Sequence, residues 1–237
     1  MYLTHERDLS RGTSESVRDV SGAGLQKAQL RSFYQDKLNS QNFFSLIEKS
    51  SRLSEQFFQF VQTNASVFQR RFIVSFYPFD SEPQLNIEKE ARDEPYQVAY
   101  VRIVDWKAGL INVYPARRDM PEQWEEYFLK NGMRIYQPAA HQMQCSPSEV
   151  AVVIVPGLAF TPNGSRLGRG VGFYDRFLLR YPEALRMGIG FEDQMTAQLP
   201  TDPWDQGLDV ILTDQAVYET QCYSEWKIHG RIGSRSP

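Results

Sequence analysis

The chain has 237 residues, enough for one fairly large α/β domain or at most two small ones. Hydrophobic residues make up 41% and aromatics 13%, so a sizeable core is expected and global disorder is not. A formal net charge of −3 gives no general pull toward nucleic acid or an anionic membrane, so any basic site must be local.

Residues 1–24 are polar, with Gly12, Gly22 and Gly24 among many Ser and Thr, and are expected to form a flexible extension. From Leu25 the pattern turns helical, with Leu25, Leu30, Phe33 and Leu38 set among Lys27, Arg31 and Lys37. A second helix is expected where Phe43, Phe44, Ile47, Leu53, Phe57, Phe58 and Val61 recur at helical spacing. The period then changes. Arg71 to Tyr77 is a short β-rich run closed by Pro78, Gln97 to Val104 a strand, and Gly109 to Tyr114 a partner able to hairpin back on it. Pro121 suits the first turn of a short helix running to about Lys130. Glu149 to Val155 is nearly all apolar, as in a strand covered on both faces. A long glycine-rich loop follows, then a helix from near Gly172 to about Arg180. Arg186 to Phe191 and Leu208 to Leu212 read as two further strands. Strands alternating with helices predict an α/β fold: a single three-layer domain over 25–221, its central sheet largely parallel and flanked by helices. Residues 222–237 are expected to be a solvated tail.

Two cysteines, Cys145 and Cys222, are too few for a disulfide framework, and no His or Cys cluster has zinc-ligand spacing. A reducing cytosol fits best. No apolar run reaches ~18 residues, so no transmembrane helix is expected. The first residues lack a basic-then-apolar signal pattern, and Glu6, Asp8, Glu15 and Asp19 argue against a transit peptide. A cytoplasmic monomer without nucleic-acid or membrane partners is the expectation.

The segment Val155 to Leu178, VPGLAFTPNGSRLGRGVGFYDRFL, carries the chemistry. Backbone N–H groups near Gly168, Gly170 and Gly172 could face an anion without side-chain obstruction, and a helix start adds partial positive charge. Arg166 and Arg169 can supply fork-shaped, charge-assisted hydrogen bonds to phosphate oxygens. The alternative is a glycine loop that merely turns the chain. It is not a P-loop, because no Gly-Lys-Ser/Thr follows. The G-x-G-x-G spacing also departs from the dinucleotide fingerprint, although Glu192 could imitate its ribose-binding acid. A dinucleotide-dependent oxidoreductase therefore stays as a minor alternative.

This segment resembles the signature of the 5-formyltetrahydrofolate cyclo-ligases (methenyltetrahydrofolate synthetases), vPGlaFd..G.RLGyGgGyYDryL. Thr161 stands where Asp is usual, and Phe173-Tyr174 where a Tyr-Tyr pair is commoner. Lys27-Ala-Gln-Leu-Arg31 is similar to the family's N-terminal KxxxR, whose spacing puts both cations on one helix face. Tyr77-Pro-Phe-Asp-Ser-Glu82 is similar to a family strand end, Gln137-Pro138 sits where the family has Glu-Pro or Gln-Pro, and Leu199 to Asp205 looks like its lP.e.hD, with Trp204 for the common His. Arg102 and Pro83 are further departures.

The resemblance implies ATP- and Mg²⁺-dependent closure of 5-formyltetrahydrofolate to 5,10-methenyltetrahydrofolate, with release of ADP and phosphate. It implies ATP contacts from Lys27, Arg31 and the run Arg166, Leu167, Gly168, Arg169, Gly170, Val171, Gly172, Phe173 and Tyr174. Arg169 and Tyr174 are the catalytic candidates. Tyr77, Glu82 and Gln137 are the folate-binding candidates, and Asp175 and Asp205 the metal ligands. A non-catalytic folate- or nucleotide-binding relative is the main alternative.

Overall fold

A computed structural model describes residues 22–69, 72–90, 96–129, 132, 134–140 and 143–224. The expected extension lies outside the described residues up to position 21. Gly22–Asn39 forms α1 and Phe43–Thr63 forms α2, whose first turn is capped by Asn42 accepting a hydrogen bond from the Ser45 N–H at 2.8 Å.

Seven strands pair into one sheet: β1 (Phe72–Ser75), β2 (Gln97–Asp105), β3 (Leu110–Pro115), β6 (Val150–Pro156), β9 (Leu185–Ile189), β10 (Val210–Leu212) and β11 (Val217–Glu219), in the order β11-β10-β9-β6-β1-β2-β3. The pairs from β10 across to β2 are parallel, while β3 and β11 close the two edges antiparallel. Alternate residues of the inner strands feed two cores, as a two-residue side-chain period requires. Ile73, Val152, Ile154 and Met187 meet Leu53, Phe57 and Phe60 of α2 on one face. Val74, Val153 and Val155 meet Phe177 and Leu178 of a short helix α4 (Phe173–Leu178), which comes after the single turn α3 (Ile87–Glu90) in the chain, on the other. The result is the expected three-layer α/β fold with a largely parallel sheet.

The helix expected from Pro121 to about Lys130 is not there over the described residues 121–129. Pro121–Gln123 is one 3₁₀ turn, and Trp124–Phe128 is a strand, β4, paired antiparallel with β5 (Arg134–Pro138). The hairpin is bonded to the sheet by side chains. Arg102 on β2 reaches the Pro138 carbonyl and the Glu125 carboxylate, both at 2.6 Å, and Gln137 Oε1 accepts from the Ile103 N–H at 3.1 Å. Arg102, a departure from the family pattern, is thus an anchor for this hairpin. Burial alone would push the Glu125 carboxyl up, but hydrogen bonds from Gln137 and Arg102 outweigh it and hold the group below the usual carboxylate range. At the other end, Tyr223 from the expected tail is buried, its hydroxyl donating to Asn64 Oδ1 at 2.9 Å. Residues 225–237 lie outside the described set.

The order of the sheet positions the site. From β1 the chain proceeds to β2 and β3 on one side, and β6 leads to β9 and β10 on the other. The direction switches between β1 and β6, and the crevice at the carboxyl ends of such strands is where open α/β sheets receive ligands. The segment from Phe76 to Glu82 leaves β1 there, and the glycine loop leaves β6 beside it.

Candidate active site

A cavity of about 1600 Å³ opens at this switch point. It is lined by α1, the segment after β1, the glycine loop, the start of α4, the β5 strand and the loop carrying Asp205. Each residue that the resemblance assigns to ATP, folate, metal or catalysis lines it: Lys27, Arg31, Tyr77, Glu82, Gln137, the run Arg166 to Asp175, and Asp205.

The glycine loop begins as a small antiparallel pair, β7 (Ala159–Phe160) with β8 (Arg166–Leu167). Thr161 closes its turn by accepting the Ser165 N–H at 3.0 Å, a task the usual Asp would share. Gly170 (φ 96°) and Gly172 (φ 73°) then take left-handed backbone that side chains disfavour. The arginines need these glycines for a second reason. A Cβ on Gly170 would lie 3.3 Å from the Arg31 guanidinium, and one on Gly168 would lie 2.7 Å from Arg166 Nη1. Arg31 Nε donates to the Gly168 carbonyl at 3.0 Å, which ties α1 to the loop. Leu167 turns into the core against Tyr34 and Leu38 of α1. α4 has only six residues, so its dipole is short and the positive character of the loop comes from the arginines.

Two acidic positions flank the loop. Asp175 Oδ1 accepts from Arg166 Nη2 at 3.1 Å and from the Gln206 N–H at 3.3 Å, and that second bond brings the neighbour, Asp205, to the mouth of the loop. Asp205 Oδ2 lies 2.5 Å from Lys27 Nζ. The sequence did not single out Asp202, whose Oδ2 lies 2.6 Å from the same ammonium. Lys27 is only 6% exposed. Burial pushes its pKa down, but the two carboxylates outweigh burial and hold it above the usual 10.5. A raised folded-state pKa adds stability that is complete below the unfolded value and is lost as pH rises through the folded one. Asp202→Asn is therefore expected to lower stability at pH values below the usual 10.5 and to shrink the further loss as pH rises above it. Urea midpoints of parent and variant measured between about pH 8 and 12 check this.

On the opposite wall, Glu82 is buried. Its Oε2 accepts the Phe79 N–H at 3.0 Å, and its Oε1 accepts from Arg169 Nη2 at 2.7 Å and Nε at 3.2 Å. Arg169 also donates to Gln35 Oε1 and lies over the Phe79 ring at 4.6 Å. Gln35 was missed, although it extends the Lys27, Arg31 ladder by one more turn of α1. Tyr77 is partly exposed on the rim, with its ring 5.3 Å from Trp124 and 5.0 Å from Tyr136. Gln137 is buried, bonded to Ile103 and donating to Glu125 Oε1 at 3.1 Å, so it braces the wall. The Tyr174 hydroxyl is buried with no hydrogen-bond partner among the described residues, and the Arg166 guanidinium lies 5.7 Å over its ring. Burial, with Glu82 nearby, pushes that hydroxyl well above the usual tyrosine range.

A polyphosphate fits these donors: four cations, Lys27, Arg31, Arg166 and Arg169, share one cavity with glycine backbone. Among the described residues no group of three or more His, Cys, Asp or Glu could hold a metal unaided. Asp175 and Asp205 suit Mg²⁺ bound largely through phosphates, which takes one or two carboxylates.

The sequence profile of the 5-formyltetrahydrofolate cyclo-ligase family matches residues 111–214. Over that segment, which is less than half of the chain, the chain is similar to that family. The 5-formyltetrahydrofolate cyclo-ligase of Escherichia coli K12 is 34% identical over 94 residues, covering 38% of this chain and 52% of that protein. The mouse cyclo-ligase is 30% identical over 95 residues, covering 37% and 47%. The chain thus spans about half the length of the curated relatives it matches. In fold it is similar to the 5,10-methenyltetrahydrofolate synthetase of Aquifex aeolicus, with a TM-score of 0.65 and 24% identity over 82% of this chain and 93% of that one. It is likewise similar to that of Mycoplasma pneumoniae, with a TM-score of 0.63 and 18% identity over 79% and 98%. The family match takes in Gln137, the glycine loop, Asp175 and Asp205. Lys27, Arg31, Tyr77 and Glu82 lie outside it and reach the cavity through the fold.

Proposed function

We propose that residues 25–221 form a catalytic unit that binds ATP with Mg²⁺ beside a reduced folate. It would convert 5-formyltetrahydrofolate to 5,10-methenyltetrahydrofolate, releasing ADP and phosphate. One observation carries this: a cationic glycine loop and a buried carboxylate, Glu82, face the same cavity. The match to the cyclo-ligase profile over residues 111–214 supports the reaction class.

Phosphoryl transfer depends on positioning and charge neutralisation more than on covalent help. Lys27, Arg31, Arg166 and Arg169 would hold the polyphosphate, with the run from Leu167 to Phe173 shaping the pocket around it. Mg²⁺ held by Asp175 and Asp205 would neutralise phosphate charge. Glu82 would accept N–H bonds from the pterin, with Tyr77 along its rim and Gln137 bracing the wall behind. Tyr174, protonated and lacking a partner, would donate a hydrogen bond between the two ligands. We place this activity in the cytosol as a monomer. Neither cysteine forms a disulfide among the described residues, as suits a reducing compartment, and no described helix is long and apolar enough to cross a membrane.

The dinucleotide reading loses its acid, because Glu192 uses its two oxygens on Tyr218 at 2.6 Å and Thr213 at 2.7 Å. The direct test is to incubate the protein with 5-formyltetrahydrofolate, ATP and Mg²⁺ and follow methenyltetrahydrofolate absorbance. ATP-dependent product is expected. Tight ATP binding with no product would instead mark a binding protein.

A further inference from the structure

The pairing of Arg169 with Glu82 joins two side chains that the proposed function gives to different ligands. Both Nε–H and Nη2–H of Arg169 converge on Glu82 Oε1, a third donor is taken by Gln35, and Phe79 supports the guanidinium plane. Glu82 is 5% exposed, and its other oxygen is taken by the Phe79 N–H. A pterin presents a guanidine-like edge, the ring N3–H beside the 2-amino group, so it offers a carboxylate the same kind of donor pair as an arginine.

We propose that Arg169 has two stations: in the free protein it occupies Glu82 in place of the pterin edge, and polyphosphate draws it off. Nucleotide binding then uncovers the folate-binding carboxylate. A buried carboxylate that loses its cation is strongly disfavoured until another donor set replaces it, so Glu82 becomes a better acceptor for the pterin once Arg169 has left. The two ligands therefore bind with positive coupling, and linkage makes the coupling reciprocal. The three supports of Arg169 at Glu82, namely Gln35, Phe79 and the carboxylate itself, hold the arginine in a defined place when no phosphate is present. This inference rests on the proposed use of Glu82 for folate and of Arg169 for phosphate.

The test is calorimetric titration of 5-formyltetrahydrofolate with and without saturating Mg²⁺ and the non-hydrolysable analogue adenylyl imidodiphosphate. In the parent the analogue is expected to tighten folate binding by about tenfold, within the usual range for coupled sites. In Arg169→Ala that ratio should fall to near one, and nucleotide-free folate binding should be at least as tight as the parent's. Gln35→Ala, which keeps both charges and removes one support, should raise nucleotide-free folate affinity and shrink the ratio, guarding against a poorly folded arginine variant. An unchanged ratio in both variants, or weaker nucleotide-free folate binding in both, overturns the proposal. If the parent binds both ligands with a ratio of one, the two-station device alone falls. If it binds neither, the proposed function falls and takes the device with it.

Discussion

Asp205→Asn is expected to fold as the parent does, lose most turnover, and need far more Mg²⁺ for what remains. Asparagine keeps the shape of the side chain and removes its charge. In the structure Asp205 Oδ2 accepts from Lys27 at 2.5 Å and from the Asp202 N–H at 2.8 Å. Asp202 stays on Lys27 in the variant, so the ammonium keeps a counterion and the fold keeps its clasp. Asp205 sits in a turn with Pro203 and Gly207, and a plain turn residue would give a small stability loss with normal kinetics. The Mg²⁺ dependence of the rate separates the two readings. A well-folded variant with an unchanged Mg²⁺ requirement would remove Asp205 from the metal and leave it as a partner of Lys27.

Arg166→Met should cost substantial stability. The Arg166 side chain is 6% exposed, and its guanidinium links the end of β6, through the Pro156 carbonyl at 3.3 Å, to the start of α4, through Asp175. Methionine fills similar space without charge and leaves Asp175 with only the Gln206 N–H at that oxygen. Breaking a buried ion pair by removing one partner costs about 3 kcal/mol or more. For a domain of this size that is a fall in melting temperature of roughly 6–12 °C. Nucleotide affinity should fall with it, because the same arginine is assigned to phosphate. Thermal melts and ATP titration of the variant check both parts. A melting temperature within about 2 °C of the parent would mean that the pair is not a structural link.

The sheet was legible where burial was complete. Val150–Pro156 is apolar at nearly each position because both its faces are covered, and no other element type of that length needs such a run. The β4 strand was not legible. Its sequence, Trp-Glu-Glu-Tyr-Phe, is half exposed, lacks clean alternation and follows a proline that suits a helix start. It pairs with β5 only a few residues on, and what holds the hairpin to the sheet is Arg102, which lies on β2 before it in the chain. β11 was invisible because it is a three-residue edge strand with only Tyr218 turned partly inward.

The site divides in the same way. The arginines and glycines were legible because they share one contiguous segment whose backbone conformation leaves a mark on residue type. Asp202 and Gln35 carry no such mark, and only folding brings them to Lys27 and Arg169. The ion pair between Glu82 and Arg169 was out of reach for the same reason. Residue types suggested a separate duty for each, and nothing local could show that they touch.

Helix α1 sets Lys27, Arg31 and Gln35 along one edge of the cavity at intervals of a single helical turn: Lys27 holds the loop of Asp202 and Asp205, while Arg31 and Gln35 both hold the glycine loop. Its apolar grip is modest, with Tyr34 and Leu38 resting on Leu158, Ala159, Leu167 and Phe191, while Leu25 and Phe33 face solvent. The helix is therefore held in place largely by the same polar groups that a ligand would engage. Part of any ligand's binding energy becomes docking energy for α1, so the opening rate of this one helix is an internal gauge of how fully the cleft is occupied.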